Sequence, residues 1–162
     1  MNIALIGSGR MGRMLESLCE KDEGLHVAGF VGRTGYASLA DMEQVDAALD
    51  FSYPGNLESL LACAVAKKIP LVIGTTGLSK EQGEAIRKAS REIPIVWADN
   101  FSTGVTVLCR LARMAAQSLG DDFDIEIVET HHRQKEDAPS GTAKQLLAYM
   151  DPKHEHEIVY GR

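Results

Sequence analysis

Residues 129–142 read Glu-Thr-His-His-Arg-Gln-Lys-Glu-Asp-Ala-Pro-Ser-Gly-Thr, and they hold more usable chemistry than any other stretch of the chain. His131, His132, Arg133 and Lys135 place two imidazoles, a guanidinium and an ammonium within five residues. Pro139-Ser140-Gly141-Thr142 follows at once, and a turn of that composition offers backbone amides and hydroxyls as further donors. Such a collection is unusual for a solvated face, although a charged surface strand end is the alternative reading. It suits a pocket that holds a small polyanion and delivers a proton to it. Crowded cations favour release of a proton, which makes Lys135 one candidate general acid. His131 is the other, because imidazole exchanges protons near neutral pH. The adjacent pair His131/His132 does not read as a metal site: neighbours on a strand point to opposite faces, and no carboxylate or thiol cluster accompanies them.

The second chemical feature is Gly7-Ser8-Gly9-Arg10-Met11-Gly12, a G-x-G-x-x-G string that follows an apolar segment and opens a helical one. In that context the first glycine permits the tight turn and the second lets a pyrophosphate approach the backbone. The third lets helix and strand pack closely, with the helix N-terminus facing the phosphates. Taken with the cationic run, it points to a nucleotide-dependent reductase. An acidic residue is expected about 20 positions later for the adenosine ribose. Here Gly32-Arg33-Thr34 stands instead, and Arg33 together with Arg10 suits a 2′-phosphate, favouring NADPH over NADH; the other reading of Arg33 is a solvated side chain. Gly74-Thr75-Thr76-Gly77 offers amides and hydroxyls to the cofactor, or is simply a hydrogen-bonded turn. Ala98-Asp99-Asn100-Phe101 brings an amide and an aromatic, with the next residue, Ser102, open to a helix-capping reading.

These residues need elements to position them. Apolar runs predict strands over Asn2–Ile6, Leu25–Val31, Val45–Phe51, Pro70–Ile73 and Ile93–Trp97. Helical periodicity predicts helices over Arg13–Lys21, Leu57–Lys68 and Lys80–Arg91, the last capped by Ser79. Alternation of this kind means βαβ units and a parallel sheet, whose strand C-terminal ends form the ligand-binding edge. The glycine string, Gly32–Thr34, Phe51–Tyr53, Gly74–Gly77 and Ala98–Phe101 all fall at such ends. After about Asn100 the pattern changes to a long helix over Gly104–Leu119, an alternating half-exposed strand over Asp124–Thr130, and a helix over Ala143–Met150 capped by Ser140. The fold class expected is therefore α/β: a Rossmann-type parallel-sheet domain over 1–100, then a partial mixed α/β substrate domain over 101–162. A lone strand cannot satisfy its own edges, so either it joins another sheet or residues beyond Arg162 completed the domain.

Composition narrows the function. At 162 residues, 44% hydrophobic and 25% charged, the chain is long enough and ordinary enough to bury a real core. A net charge of −6 leaves no basic excess for nucleic acid, though it allows a local cationic pocket. The three cysteines are far apart, without metal or redox spacing, and read as buried thiols in a reducing compartment. The apolar opening segment is too short for a signal peptide or a membrane span, so a cytoplasmic location is expected. His154 and His156 read as solvated.

The motifs resemble the 4-hydroxy-tetrahydrodipicolinate reductase (dihydrodipicolinate reductase) family of lysine and diaminopimelate biosynthesis. The resemblance spans essentially the whole chain. It rests on Gly7–Gly12, Asp50-Phe51-Ser52, Gly74–Gly77, Ala98–Ser102 and above all His131-His132-Arg133-x-Lys135-x-Asp137-Ala138-Pro139-Ser140-Gly141-Thr142. It implies an NAD(P)H-dependent oxidoreductase that reduces a small cyclic dicarboxylate and assembles as a homotetramer. By position, His131 matches a proton donor/acceptor and Lys135 a proton donor. His132, Gly141 and Thr142 match substrate contacts. Gly7, Ser8, Gly9, Arg10, Met11, Gly12, Arg33, Gly74, Thr75, Thr76, Ala98, Asp99, Asn100 and Phe101 match cofactor contacts, with no metal. Gly32 stands where many members carry an acid, and Gln134 where many carry His. Members of the family continue beyond the equivalent of Arg162 with further strands, so truncation is the expectation from sequence. The competing readings are a truncated NAD(P)-binding protein without catalysis, and another amino-acid-pathway dehydrogenase, against which the 131–142 string argues.

Overall fold

The computed structural model describes residues 1–32, 38–133, 135 and 138–161, and the chain divides into two compact units, Met1–Ala98 and Asp99–Arg162.

In the first unit, β1 (Asn2–Ile6), β2 (His26–Val31), β3 (Ala47–Asp50), β4 (Leu71–Ile73) and β5 (Ile95–Trp97) form one sheet in the order β2-β1-β3-β4-β5, every pair parallel. Helices α1 (Arg10–Cys19), α2 (Leu57–Lys67) and α3 (Lys80–Ala89) provide crossovers. A strand flanked on both sides must be apolar on both faces, and the central strands are: Ile3, Ala4, Leu5, Ile6, Ala48, Leu71 and Ile73 are all buried. The edge strands β2 and β5 are half-buried, with Val96 and Trp97 exposed on the latter. The core runs from Ala4 and Ile6 through Leu57, Leu60, Leu61 and Ala64 of α2 to Ile86 and Ala89 of α3. Ser79 caps α3 reciprocally: its Oγ accepts from the Gln82 amide at 3.2 Å while Gln82 Oε1 accepts from the Ser79 amide at 2.9 Å. Successive strands step outward from β1 in both directions, so the strand order reverses between β1 and β3. The strand C-terminal ends at such a reversal are the place where open parallel sheets bind ligands.

In the second unit, α4 (Thr103–Leu119) packs on α5 (Gly141–Met150), with Cys109 and Ala143 buried. Ser102 is the cap of α4, its Oγ accepting from the Val105 amide at 3.4 Å. The stripe read from periodicity is only partly covered, for Val107, Leu108, Leu111, Met114 and Leu119 stay exposed. The strand expected over Asp124–Thr130 is not formed. Those residues take no regular secondary structure and are exposed, and among the described residues none of them pairs in a strand. Alternation of apolar and polar residues reports which side chains share a face, whereas a strand exists only when its N–H and C=O groups find a partner. His156 is also more than a solvated side chain. Its Nδ1 lies 3.5 Å from Asp151 Oδ1, and Asp151 is buried at the end of α5, where it accepts from the Glu155 and His156 amides. No helix among the described residues is long and apolar enough to cross a membrane.

Candidate active site

The nucleotide edge is built first by glycine. Gly7 ends β1 at φ +100°, and a Cβ there would sit 2.7 Å from the Phe51 carbonyl oxygen at the end of β3. A Cβ on Gly12 would drive into the Gly7 carbonyl oxygen. Between them Gly9 faces open space and serves as the N-cap of α1 with no side-chain cap, and the first turn of α1 carries no acid. The first and third glycines thus close the turn against the sheet, while the second leaves both room and unspent amide donors at a helix N-terminus. An anion of pyrophosphate size fits that arrangement. Ser8 is half-buried beside it, and Arg10 and Met11 are exposed on the first turn. Arg33 lies outside the described residues.

A buried polar knot ties the neighbouring strand ends together. Asp50, the last residue of β3, is fully buried. Its Oδ1 accepts from the Ser52 amide at 3.2 Å and from the Ser52 hydroxyl, and its Oδ2 accepts from the Thr75 hydroxyl at 2.8 Å. Thr75 Oγ1 in turn accepts from the Ser52 amide at 3.0 Å. Burial pushes the Asp50 carboxyl up from its ordinary value, against the hydrogen bonds that pull it down. The knot fixes Gly74-Thr75-Thr76 beyond β4 relative to the Gly7 turn. It also commits the Thr75 hydroxyl to the protein, which leaves the loop backbone and the exposed Thr76 as the groups it could offer a ligand. Asp50 was not singled out for this role from sequence; an acid closing an apolar strand, two residues before a serine, is the signal that would have found it.

Ala98 extends the pairing past β5, its amide donating to the Ile73 carbonyl at 3.1 Å. In the second unit, Asn100 Oδ1 accepts from the Ser102 amide at 2.7 Å, and Asn100 Nδ2 donates to Thr142 Oγ1 at 3.3 Å. A residue expected at the cofactor is thereby joined to one expected at the substrate. Asp99 precedes this turn and Phe101, in it, is 47% exposed.

His131 and Ser140 meet on Glu129. Its Oε2 lies 2.9 Å from His131 Nε2 and accepts from the Ser140 hydroxyl, and its Oε1 accepts from the Ser140 amide at 2.9 Å. Ser140 is buried and caps α5, its Oγ accepting from the Ala143 amide at 3.1 Å. The first amides of α5, at Gly141 and Thr142, therefore open beside His131, a second helix N-terminus suited to a carboxylate. His132 is exposed, and a turn closed by the Lys135 amide donating to the His132 carbonyl at 3.1 Å carries Lys135 back toward it. The His131 ring, then the Ser140 hydroxyl and amide, hold the Glu129 carboxyl down to about 2. Glu129 had no assigned role in the sequence reading, although extended backbone puts residues two apart on the same side.

Comparison with known proteins gives the family of both units. The dihydrodipicolinate reductase N-terminus family matches residues 1–101, and the dihydrodipicolinate reductase C-terminus family matches residues 104–159. A 4-hydroxy-tetrahydrodipicolinate reductase of Pseudoalteromonas atlantica is 44% identical over 99% of this chain, which spans 70% of that relative's length. Among solved structures, a dipicolinate-bound dihydrodipicolinate reductase from Paenisporosarcina sp. TG-14 has the same fold, with a TM-score of 0.73 at 23% identity over 100% of this chain and 71% of that one. An oxidoreductase from Agrobacterium radiobacter, in complex with NAD+, L-tartaric acid and magnesium, shares the fold at a TM-score of 0.53 and 18% identity, over 74% of this chain and 39% of its own.

Proposed function

The chain belongs to the dihydrodipicolinate reductase family, and from that premise we propose how its residues divide the labour of the family reaction, the NAD(P)H-dependent reduction of 4-hydroxy-tetrahydrodipicolinate to tetrahydrodipicolinate in lysine and diaminopimelate biosynthesis. The observation that carries the assignment is the convergence on Glu129 of His131 and the Ser140 cap of α5. It sets a proton-exchanging ring beside amides that suit a carboxylate.

Residues 1–100 form the nucleotide domain and residues 101–162 the substrate domain. The Gly7–Gly12 turn and the start of α1 hold the pyrophosphate, with Gly74–Thr76 and Ala98–Phe101 as further cofactor contacts. When bound, the nicotinamide supplies the hydride, and the protein's part is to orient and protonate. Arg10 and Arg33 favour the 2′-phosphate of NADPH. The substrate is a small cyclic dicarboxylate, and the dipicolinate held by the Paenisporosarcina enzyme is a molecule of that class. Its carboxylates are gripped by His132, by the Gly141 and Thr142 amides and by the Thr142 hydroxyl, charge-assisted bonds that contribute about 1.5–3 kcal/mol each. Substrate loses water and the resulting conjugated system accepts hydride; His131 or Lys135 protonates the atom that becomes electron-rich. The family resemblance adds a cytoplasmic homotetramer.

The test is kinetic. His131→Gln and Lys135→Ala should each lower kcat by ~10²–10⁴, the usual worth of a general acid, while the KM for NADPH stays close to native. Equal losses in turnover and cofactor affinity would remove the proton-transfer assignment.

A further inference from the structure

We propose that Glu129 is the positioning residue of this site: its carboxylate holds His131 by Nε2 and fixes the Ser140 turn, so that proton delivery and carboxylate capture are aligned by one side chain. This rests on the reading of His131 as the acid.

The geometry leads there in steps. A carboxylate can accept at both oxygens, and Glu129 uses both: Oε1 takes the Ser140 amide at 2.9 Å, and Oε2 takes the Ser140 hydroxyl and faces His131 Nε2 at 2.9 Å. Ser140 has its hydroxyl engaged twice, donating to Glu129 and accepting from the Ala143 amide, so its side chain serves the helix start. The start of α5 presents the Gly141 and Thr142 amides. Moving Glu129 would therefore move the imidazole and those amides together. Because the Glu129 carboxyl is held down to about 2, it remains an anionic acceptor throughout the range in which an imidazole exchanges protons.

An acceptor that stays anionic near neutral pH decides the chemistry of the ring. Nε2 keeps its hydrogen in both states of His131, and Nδ1 becomes the nitrogen that exchanges the working proton. In the forward step the Nδ1–H bond breaks and its electron pair stays on Nδ1. A new bond to hydrogen forms at the electron-rich substrate atom, leaving the neutral Nε2–H tautomer, and solvent restores the proton. The partner that fixes one ring nitrogen thus selects the other for function.

The experiment is ring-nitrogen NMR of the intact protein, with His131 assigned by its loss in His131→Gln, combined with steady-state kinetics. Native protein should show Nε2–H as the neutral tautomer. Glu129→Gln should shift the ring toward Nδ1–H and lower kcat ~10–100-fold, the typical cost of losing an orienting partner, with the KM for NADPH unchanged. Ser140→Ala should leave the tautomer in place and raise the KM for the dicarboxylate. Nδ1–H as the native neutral tautomer overturns the proposal, and this outcome stands even if Glu129→Gln fails to fold. Native kcat in a folded Glu129→Gln overturns it as well. If His131→Gln turns over normally while the tautomer still depends on Glu129, it is the assignment of His131 as the acid that fails.

Discussion

Asp50 sits at the end of β3 with no exposed surface, and its partners are two hydroxyls and an amide rather than a cation. A carboxylate in that setting joins groups that the strands hold apart: Ser52 follows β3 and Thr75 follows β4. Asp50→Ala would orphan their donors, so a destabilisation of about 1–3 kcal/mol is expected together with weaker NADPH binding, measured by denaturant melts and fluorescence titration. Burial raises the folded carboxyl above its ordinary 3.8. The native state therefore takes up a proton before the unfolded chain does, and stability rises as pH falls through the raised value toward 3.8. Asp50→Asn does not titrate. Its stability relative to native should accordingly decline as pH is lowered across that window, and a flat difference would show that desolvation does not dominate. Neither Asp50 nor Glu129 was legible as a partner in the sequence, since each acts through groups that the fold brings to it: Thr75 lies 25 residues from Asp50, and Ser140 lies 11 from Glu129.

Elements decide which glycine can change. Gly9 and Gly12 are alike in sequence terms, three residues apart in one fingerprint, yet open space surrounds Gly9 and backbone abuts Gly12. Gly12→Ala should lower the melting temperature sharply, because the added methyl meets the Gly7 carbonyl in a turn that cannot yield without moving β1. Gly9→Ala should melt near native and still lose nucleotide affinity, because the methyl occupies the approach to the helix amides. Thermal melts paired with NADPH titration separate the two. The βαβ elements were readable because a buried parallel strand is a continuous apolar run and an amphipathic helix repeats every 3.6 residues. Their ends moved by a few residues, as with Val45–Phe51 against the observed Ala47–Asp50, since fraying and capping are set by hydrogen bonds that periodicity does not encode. The Asp124–Thr130 expectation failed for a related reason: its pattern named a face, and no described strand pairs with it.

At the scale of the molecule, every residue of the main hydrophobic core lies between Ala4 and Ile93, within the first unit. A fragment ending at Ala98 should therefore fold, bind NADPH more tightly than NADH and catalyse nothing, since the proposed proton donors lie beyond it; calorimetric titration and an NADPH-oxidation assay check both halves of that statement. A fragment that fails to bind nucleotide would mean that the proposed Asp99–Phe101 contacts are indispensable. By itself the sequence determined the parallel α/β architecture, the phosphate turn, the cationic run and the family, because each rests on local periodicity or on residues within a few positions of one another. Only the tertiary structure decided that Asp50 locks Thr75, that Asn100 meets Thr142, and that one carboxylate, Glu129, serves both His131 and the start of α5. Those are pairings across folded distance, set by how strands and helices pack, and a linear pattern carries no record of which partner a polar group will find.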